Sequence, residues 1–209
     1  MSFQEVSLAA FSEVLASGAP TPGGGSASAL SGALAAALAA MVARTTAASK
    51  KFADRAEAMN GVASEADRLR AELLALVDED AKAFDQVMAA FRMAKETAEQ
   101  QAVRSQAIQQ AYRAAIGPPM RVCEQSLRVL ELASLVAEQG NPSAISDAGV
   151  AALLAASALE GGGLNVQINV GSIKDEAFRN SQSERVRAAQ SQGRVLRDKV
   201  LATVRTKLG

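Results

Sequence analysis

The chain has 209 residues, with 22 lysines and arginines against 22 aspartates and glutamates, no histidine, no tryptophan and one cysteine. That inventory lacks the usual side chains of zinc sites, Ser-His and Cys-His triads, haem and iron–sulfur centres, so no metal or redox cofactor is expected. At 49% apolar residues, the length suits a single domain over residues 1–209 with a real core.

Balanced charge and only 3% aromatic residues leave no footprint for a phosphate backbone and few rings to stack bases, so no nucleic-acid partner is expected. One cysteine cannot close an internal disulfide. The start MSFQEVSLAAF carries an acid where a signal peptide carries positive charge, which points to the cytoplasm. Residues 26–43 are free of charge but built mainly from Ala, Ser and Gly, which predicts a buried soluble helix and no membrane partner.

Apolar residues recur at three- and four-residue steps, so the class is all-α, a multi-helix bundle. Ser2 with Glu5 reads as a capping box for a first helix through Phe11, Val14 and Leu15, ending near Gly18. The loop APTPGGG follows, with Ser26 placed to cap a second helix that runs to about 48. Within it Ser28, Gly32, Ala36 and Ala40 repeat every four residues, a spacing that lets another backbone approach closely at the centre of the fold or of a dimer.

A third helix over about 54–93 carries the register Val62, Ala66, Leu69, Leu73, Val77, Phe84, Val87 and Phe91. At about 100° per residue Asp80 falls on this stripe, whereas Asp78 lies about 160° round the helix from it. Thr97 with Gln100 opens a fourth helix ending before Gly117; Pro119 opens a fifth that ends at Gly140. A small-residue helix over about 147–159 is expected to break at Gly161-Gly162-Gly163. Residues 164–173 alternate like a strand but have no partner strand, so they are assigned helical. Ser172 with Asp175 caps the last helix, through Phe178, Val186, Val195, Leu201 and Val204.

Several residues could carry chemistry. The backbone amides of Gly24, Gly25, Ser26 and Ala27, at a helix start, read equally as a cradle for an electron-rich group or as a tight turn. Asp80 on an apolar stripe is costly unless paired or protonated, so it reads as a general acid or base, or else as a structural ion pair or a hydrogen bond to a neighbouring helix end. Lys50, Lys51 and Lys95 are candidates for an anionic tail. Ser146-Asp147 reads as a helix cap, and Asn165 and Asn169 stand one turn apart; Cys123, the methionines and the phenylalanines read as core.

Three segments, PTPGGGSASALSGALAAALAAMV, VDEDAKAF and GNPSAISDAGVAALLAASALEGGGLNVQINVGSIKDEAF, together resemble the formiminotransferase-cyclodeaminase C-terminal family, which includes free-standing methenyltetrahydrofolate cyclohydrolases. The resemblance covers nearly the whole chain in order. It implies a bundle of long antiparallel helices forming a homodimer, and a tetrahydrofolate substrate carrying a one-carbon unit. The activity implied is cyclodeaminase or cyclohydrolase, without a separate cofactor. It also implies Asp80 as the catalytic acid or base, Gly23, Gly24, Gly25 and Ser26 lining the folate crevice, and polar contacts from Asp147, Asn165 and Asn169. Lys50 and Lys95 would suit the glutamate tail. The sequence shows no counterpart of the family's transferase domain, so this chain is not expected to make formiminotetrahydrofolate itself. The alternative is a helical dimer on the same scaffold that binds folate or a protein without turnover.

Overall fold

The helical period of the sequence is realised as seven α-helices, with no strand among the described residues, in a computed structural model that describes residues 2–209. They are α1 (Leu8–Ala16), α2 (Gly24–Ala47), α3 (Ala56–Phe91), α4 (Ala98–Ala115), α5 (Gly117–Gln139), α6 (Ile145–Val170) and α7 (Glu176–Leu208), with short 3-10 turns at Phe3–Glu5, Lys50–Arg55 and Pro142–Ala144.

The alanine-rich helices α2 and α6 form the centre. Helix α2 packs on α3, α5 and α6, and α6 packs on α2, α5 and α7. The four-residue repeat in α2 does what its spacing suggests: a Cβ added to Gly32 would come within 3.0 Å of Ser126 Oγ and 3.1 Å of a Leu73 methyl. Around this small-residue centre lie the buried large side chains Leu69, Leu73, Leu76, Leu130, Leu132 and Leu159, each contributing roughly 1.5–3 kcal/mol by leaving water. Cys123 is buried among them, and burial pushes its thiol up to about 12, so it is an inert core residue.

Several boundaries fall where the sequence places them. Thr97 Oγ1 accepts from Gln100 N and the Gln100 side chain accepts from Thr97 N, each at 3.2 Å, completing the expected capping box. Helix α5 ends at Gly140, and the last helix is capped by Asp175, whose side chain accepts from Phe178 N at 3.0 Å.

Other expectations are corrected. Ser2 and Glu5 do not cap α1; Ser7 does, accepting from Ala10 N, while the Ser2 hydroxyl reaches across to Asp78. Helix α2 begins two residues before Ser26, so Ser26 sits inside the first turn rather than capping it. Asp147 follows two residues into α6 and makes no cap bond. Ser172 does not cap α7; its carbonyl accepts from Gln109 Nε2.

The largest correction concerns Gly161-Gly162-Gly163, which do not break α6. A helix turns by about 100° per residue, so three consecutive glycines face three different neighbours. Side chains there would collide with Ser28 of α2, with Cys123 Sγ and Pro119 O of α5, and with Gln190 of α7. The glycines are contact points at which α6 lies against three helices at once.

By length and composition, both α2 and the Pro142–Val170 segment could cross a membrane, but more than half of each apolar window is buried against the other helices.

Candidate active site

Beyond Val77 the apolar stripe of α3 leaves the core. Asp80, Ala83, Phe84, Val87, Met88 and Phe91, spaced by three and four residues, line one wall of a cleft of about 360 Å³. Phe84 and Phe91 are therefore cleft residues, 38% and 41% exposed, rather than the core residues the sequence suggests. Helix α4 adds Tyr112 and Ala115, α6 adds Asn165, Ile168 and Asn169, the loop into α2 adds Pro20, Thr21 and Gly23, and the first turn of α2 adds Gly24 and Gly25.

Asp80 is the acid of this cleft, and no lysine or arginine among the described residues pairs with it. Its Oδ2 lies 3.0 Å from Ser26 Oγ, and Ser26 is fully buried. Burial raises the carboxyl above its ordinary value of 3.8, while the Ser26 hydroxyl and backbone N–H pull it back by favouring the charged form. The carboxyl lies against the α2 backbone because Gly25 has no side chain there: a Cβ would overlap the carboxyl group.

Asp78 is turned away from the cleft, as the helix register requires, but it is not solvated. The N-terminal segment folds over it, so that Ser2 Oγ and Phe3 N donate to its two oxygens at 2.7 and 2.6 Å and it is 7% exposed. Asp78 fastens the chain start; Asp80 is the acid that opens onto a cavity.

The two asparagines face the same space. Asn165 Nδ2 donates to Gly161 O at 2.8 Å, and Asn169 Nδ2 donates to Ala115 O and Asn165 O. Each amide is thereby oriented with its Nδ2 engaged, which leaves its Oδ1 as an acceptor.

The fold thus brings together Asp80, Gly23, Gly24, Gly25, Ser26, Asn165 and Asn169. It does not bring Asp147 or Lys50 to them. Asp147 lies 18 residues before Asn165 on the same helix, about 27 Å away along its axis. Lys50 follows the far end of α2, a helix of 24 residues and so about 36 Å long. Lys95 is exposed in the loop beyond Phe91 and does not line the cleft. Sequence reasoning missed Tyr112 and Thr21, which carry no local signal. The cleft role of Phe84 and Phe91 was signalled by their sharing a stripe with an acid.

Among the described residues, one carboxyl held against the start of α2 beside two oriented amides gives this all-helical scaffold a small-molecule-sized cleft lined by a group able to exchange a proton. The model of the family described as Formiminotransferase-cyclodeaminase matches residues 7–188, and the chain belongs to that family. It is 37% identical to the methenyltetrahydrofolate cyclohydrolase of Methylorubrum extorquens over 95% of both chains. It is 30% identical to the formimidoyltransferase-cyclodeaminase of Rattus norvegicus over 88% of this chain and 34% of that one. The crystal structure of formiminotetrahydrofolate cyclodeaminase from Thermotoga maritima superposes with a TM-score of 0.88 over 99% of each chain, at 29% identity.

Proposed function

We propose that this chain is a one-carbon tetrahydrofolate enzyme, a 5,10-methenyltetrahydrofolate cyclohydrolase or a formiminotetrahydrofolate cyclodeaminase, with Asp80 as its general acid and base. The observation that carries this reading is the position of Asp80, the cleft's one carboxyl, partly buried against the glycine start of α2. The family relatives supply the substrate class.

In the hydrolytic reaction water adds to the methenyl carbon while the Asp80 carboxylate takes its proton; the bond from that carbon to N5 then breaks as Asp80 returns the proton to N5 and the new hydroxyl releases its own proton to solvent, giving 10-formyltetrahydrofolate. In the deaminating reaction N10 attacks the formimino carbon and its proton passes to the former imine nitrogen; the Asp80 carboxylic acid then gives that nitrogen a second proton as the carbon–nitrogen bond breaks, releasing ammonia and leaving the 5,10-methenyl cation. Both pass through a tetrahedral carbon, and both need a carboxyl that changes protonation state near neutrality. The oriented Oδ1 atoms of Asn165 and Asn169 suit the N–H donors of a pterin, and Gly23, Gly24 and Gly25 let the ring approach the backbone. Phe84, Val87 and Phe91 supply an apolar wall for the rest of the substrate. Lys95, exposed and four residues beyond the cleft residue Phe91, would be the cation for a carboxylate tail that extends past that end of the cleft. Lys50 and Asp147 lie too far along their helices to touch the same molecule within one subunit.

The chain acts as a cytoplasmic homodimer through the outer faces of α2 and α6. Leu34 and Met41 on one helix and Val150, Leu153, Leu164 and Ile168 on the other are all exposed, and Ser31 Oγ bonds Leu154 O across the pair. Two adjacent helices about 36 Å long and 20 Å wide present about 700 Å², near the 800 Å² per partner of a stable interface. Ile168 also lines the cleft, so the second subunit would stand at its rim.

Two experiments test these statements. Purified protein should turn over 5,10-methenyltetrahydrofolate or release ammonia from formiminotetrahydrofolate when both are assayed side by side; turnover of neither would end the enzymatic reading. Leu153→Glu should convert a dimer to a monomer in sedimentation, and a monomeric wild type would remove the interface.

A further inference from the structure

The Ser26 hydroxyl has one proton and two acceptors in reach. Its Oγ is 3.0 Å from Asp80 Oδ2 and 3.0 Å from the Val77 main-chain carbonyl, and it is fully shielded from water. It can donate to only one at a time. When Asp80 is ionised, donation to the carboxylate is the stronger, charge-assisted bond. When Asp80 carries its proton, Asp80 can donate to Ser26 Oγ, and the hydroxyl is then free to turn to Val77 O, which is one turn earlier on the same helix. No polar atom of the pair is left unmatched in either state.

We infer that Ser26 is a positioning residue whose hydroxyl turns between Asp80 and Val77 O as Asp80 loses and gains its proton, holding the carboxyl in one place through both halves of the reaction. The inference rests on the proposed role of Asp80. It differs from the sequence-based view of Ser26 as part of the substrate crevice, because Ser26 is fully buried and reaches the substrate only through Asp80.

The surroundings make Ser26 the natural partner for this proton. Helix α2 meets the carboxyl with Gly25 and Ser26, and α6 presents Asn165 and Asn169 to the cleft. Tyr112 is the ionisable group from α4. On α3 itself Asp78 is engaged by Ser2 and Phe3, and Glu79 pairs with Arg121 on another side, near Lys82. A turning hydroxyl also explains why a serine occupies a fully buried place in an alanine-rich helix, where alanine would form helix as well or better.

The test is a carbon-13 NMR titration of the Asp80 carboxyl and the Val77 carbonyl in the wild-type chain, Ser26→Ala and Ser28→Ala. In wild type the Val77 carbonyl should titrate with the Asp80 midpoint, moving downfield on the acid side as it gains a hydrogen bond. In Ser26→Ala the Asp80 midpoint should move to higher pH and the Val77 response should vanish. Turnover at neutral pH should fall about tenfold, the cost of roughly one hydrogen bond, with KM within about twofold. Ser28→Ala, whose hydroxyl bonds only Gly24 O, should leave both resonances as in wild type. A Val77 carbonyl indifferent to Asp80 in wild type, or an unmoved Asp80 midpoint in Ser26→Ala, overturns the inference. Full activity of Asp80→Asn would instead overturn the catalytic reading, and the NMR midpoints would report Ser26 independently of it.

Discussion

Gly25 and Asp80 share one volume: the carboxyl of Asp80 lies where a side chain on residue 25 would begin. The glycine of the helix start and the acid of α3, 55 residues apart in sequence, are two halves of one feature. A glycine in the first turn of a helix is unfavourable for helix formation, and here its missing Cβ admits the carboxyl.

Gly25→Ala therefore separates local helix stability from the site. Alanine favours the helix by up to about 1 kcal/mol, yet its methyl group would displace the Asp80 side chain. Helical content by circular dichroism should be unchanged and turnover should drop by about a hundredfold or more, the consequence of a misplaced reacting group.

Burial gives Asp80 a pH signature. Its value in the folded protein is raised above the ordinary 3.8, so the native state holds a proton that the unfolded chain has released. The stability from this group is fully present below the ordinary aspartate value and is lost as pH rises through the raised one. Asp80→Asn removes the desolvated charge, so its melting temperature at pH 8 should equal or exceed wild type, with the difference shrinking on acidification. Hydrolysis of the methenyl substrate needs the ionised form and should fall on the acid side of the same midpoint. Deamination needs the protonated form and should fall on its alkaline side.

Two glycines inside helices should respond in opposite ways to alanine. Gly61 of α3 faces open space, so Gly61→Ala should stabilise by about 0.5–1 kcal/mol. At Gly162 the new methyl would stand 3.0 Å from both Cys123 Sγ and Pro119 O, so Gly162→Ala should destabilise by about 1–3 kcal/mol. Urea denaturation of the two variants measures both.

The features that the sequence makes legible are those written locally. The Thr97–Gln100 capping box, the Asp175 cap, the close-approach spacing in α2 and the inward register of Asp80 each depend on residues a few positions apart. Features created by packing were not. Glycines 161–163 signal a break unless their three neighbours are known, and Ser26 looks like a cap because its partners, Val77 and Asp80, lie on another helix. Asp78 is legible only as lying off the apolar stripe; its partners Ser2 and Phe3 come from a distant segment, the chain start folded over it. Lys50 and Asp147 fit an anionic or polar contact by type alone; only the lengths of α2 and α6 reveal how far they stand from the cleft.

The most direct test of Asp80 as the proton carrier is steady-state turnover of both folate substrates by wild type, Asp80→Asn and Asp78→Asn, with folate binding measured by thermal shift. Asp80→Asn should lose about a thousandfold or more in kcat while binding persists, the scale expected when general acid–base catalysis is removed. Asp78→Asn, losing a hydrogen bond to Ser2 or Phe3, should lose about 1–3 kcal/mol of stability and keep its kcat. Turnover by Asp80→Asn within tenfold of wild type would contradict the assignment.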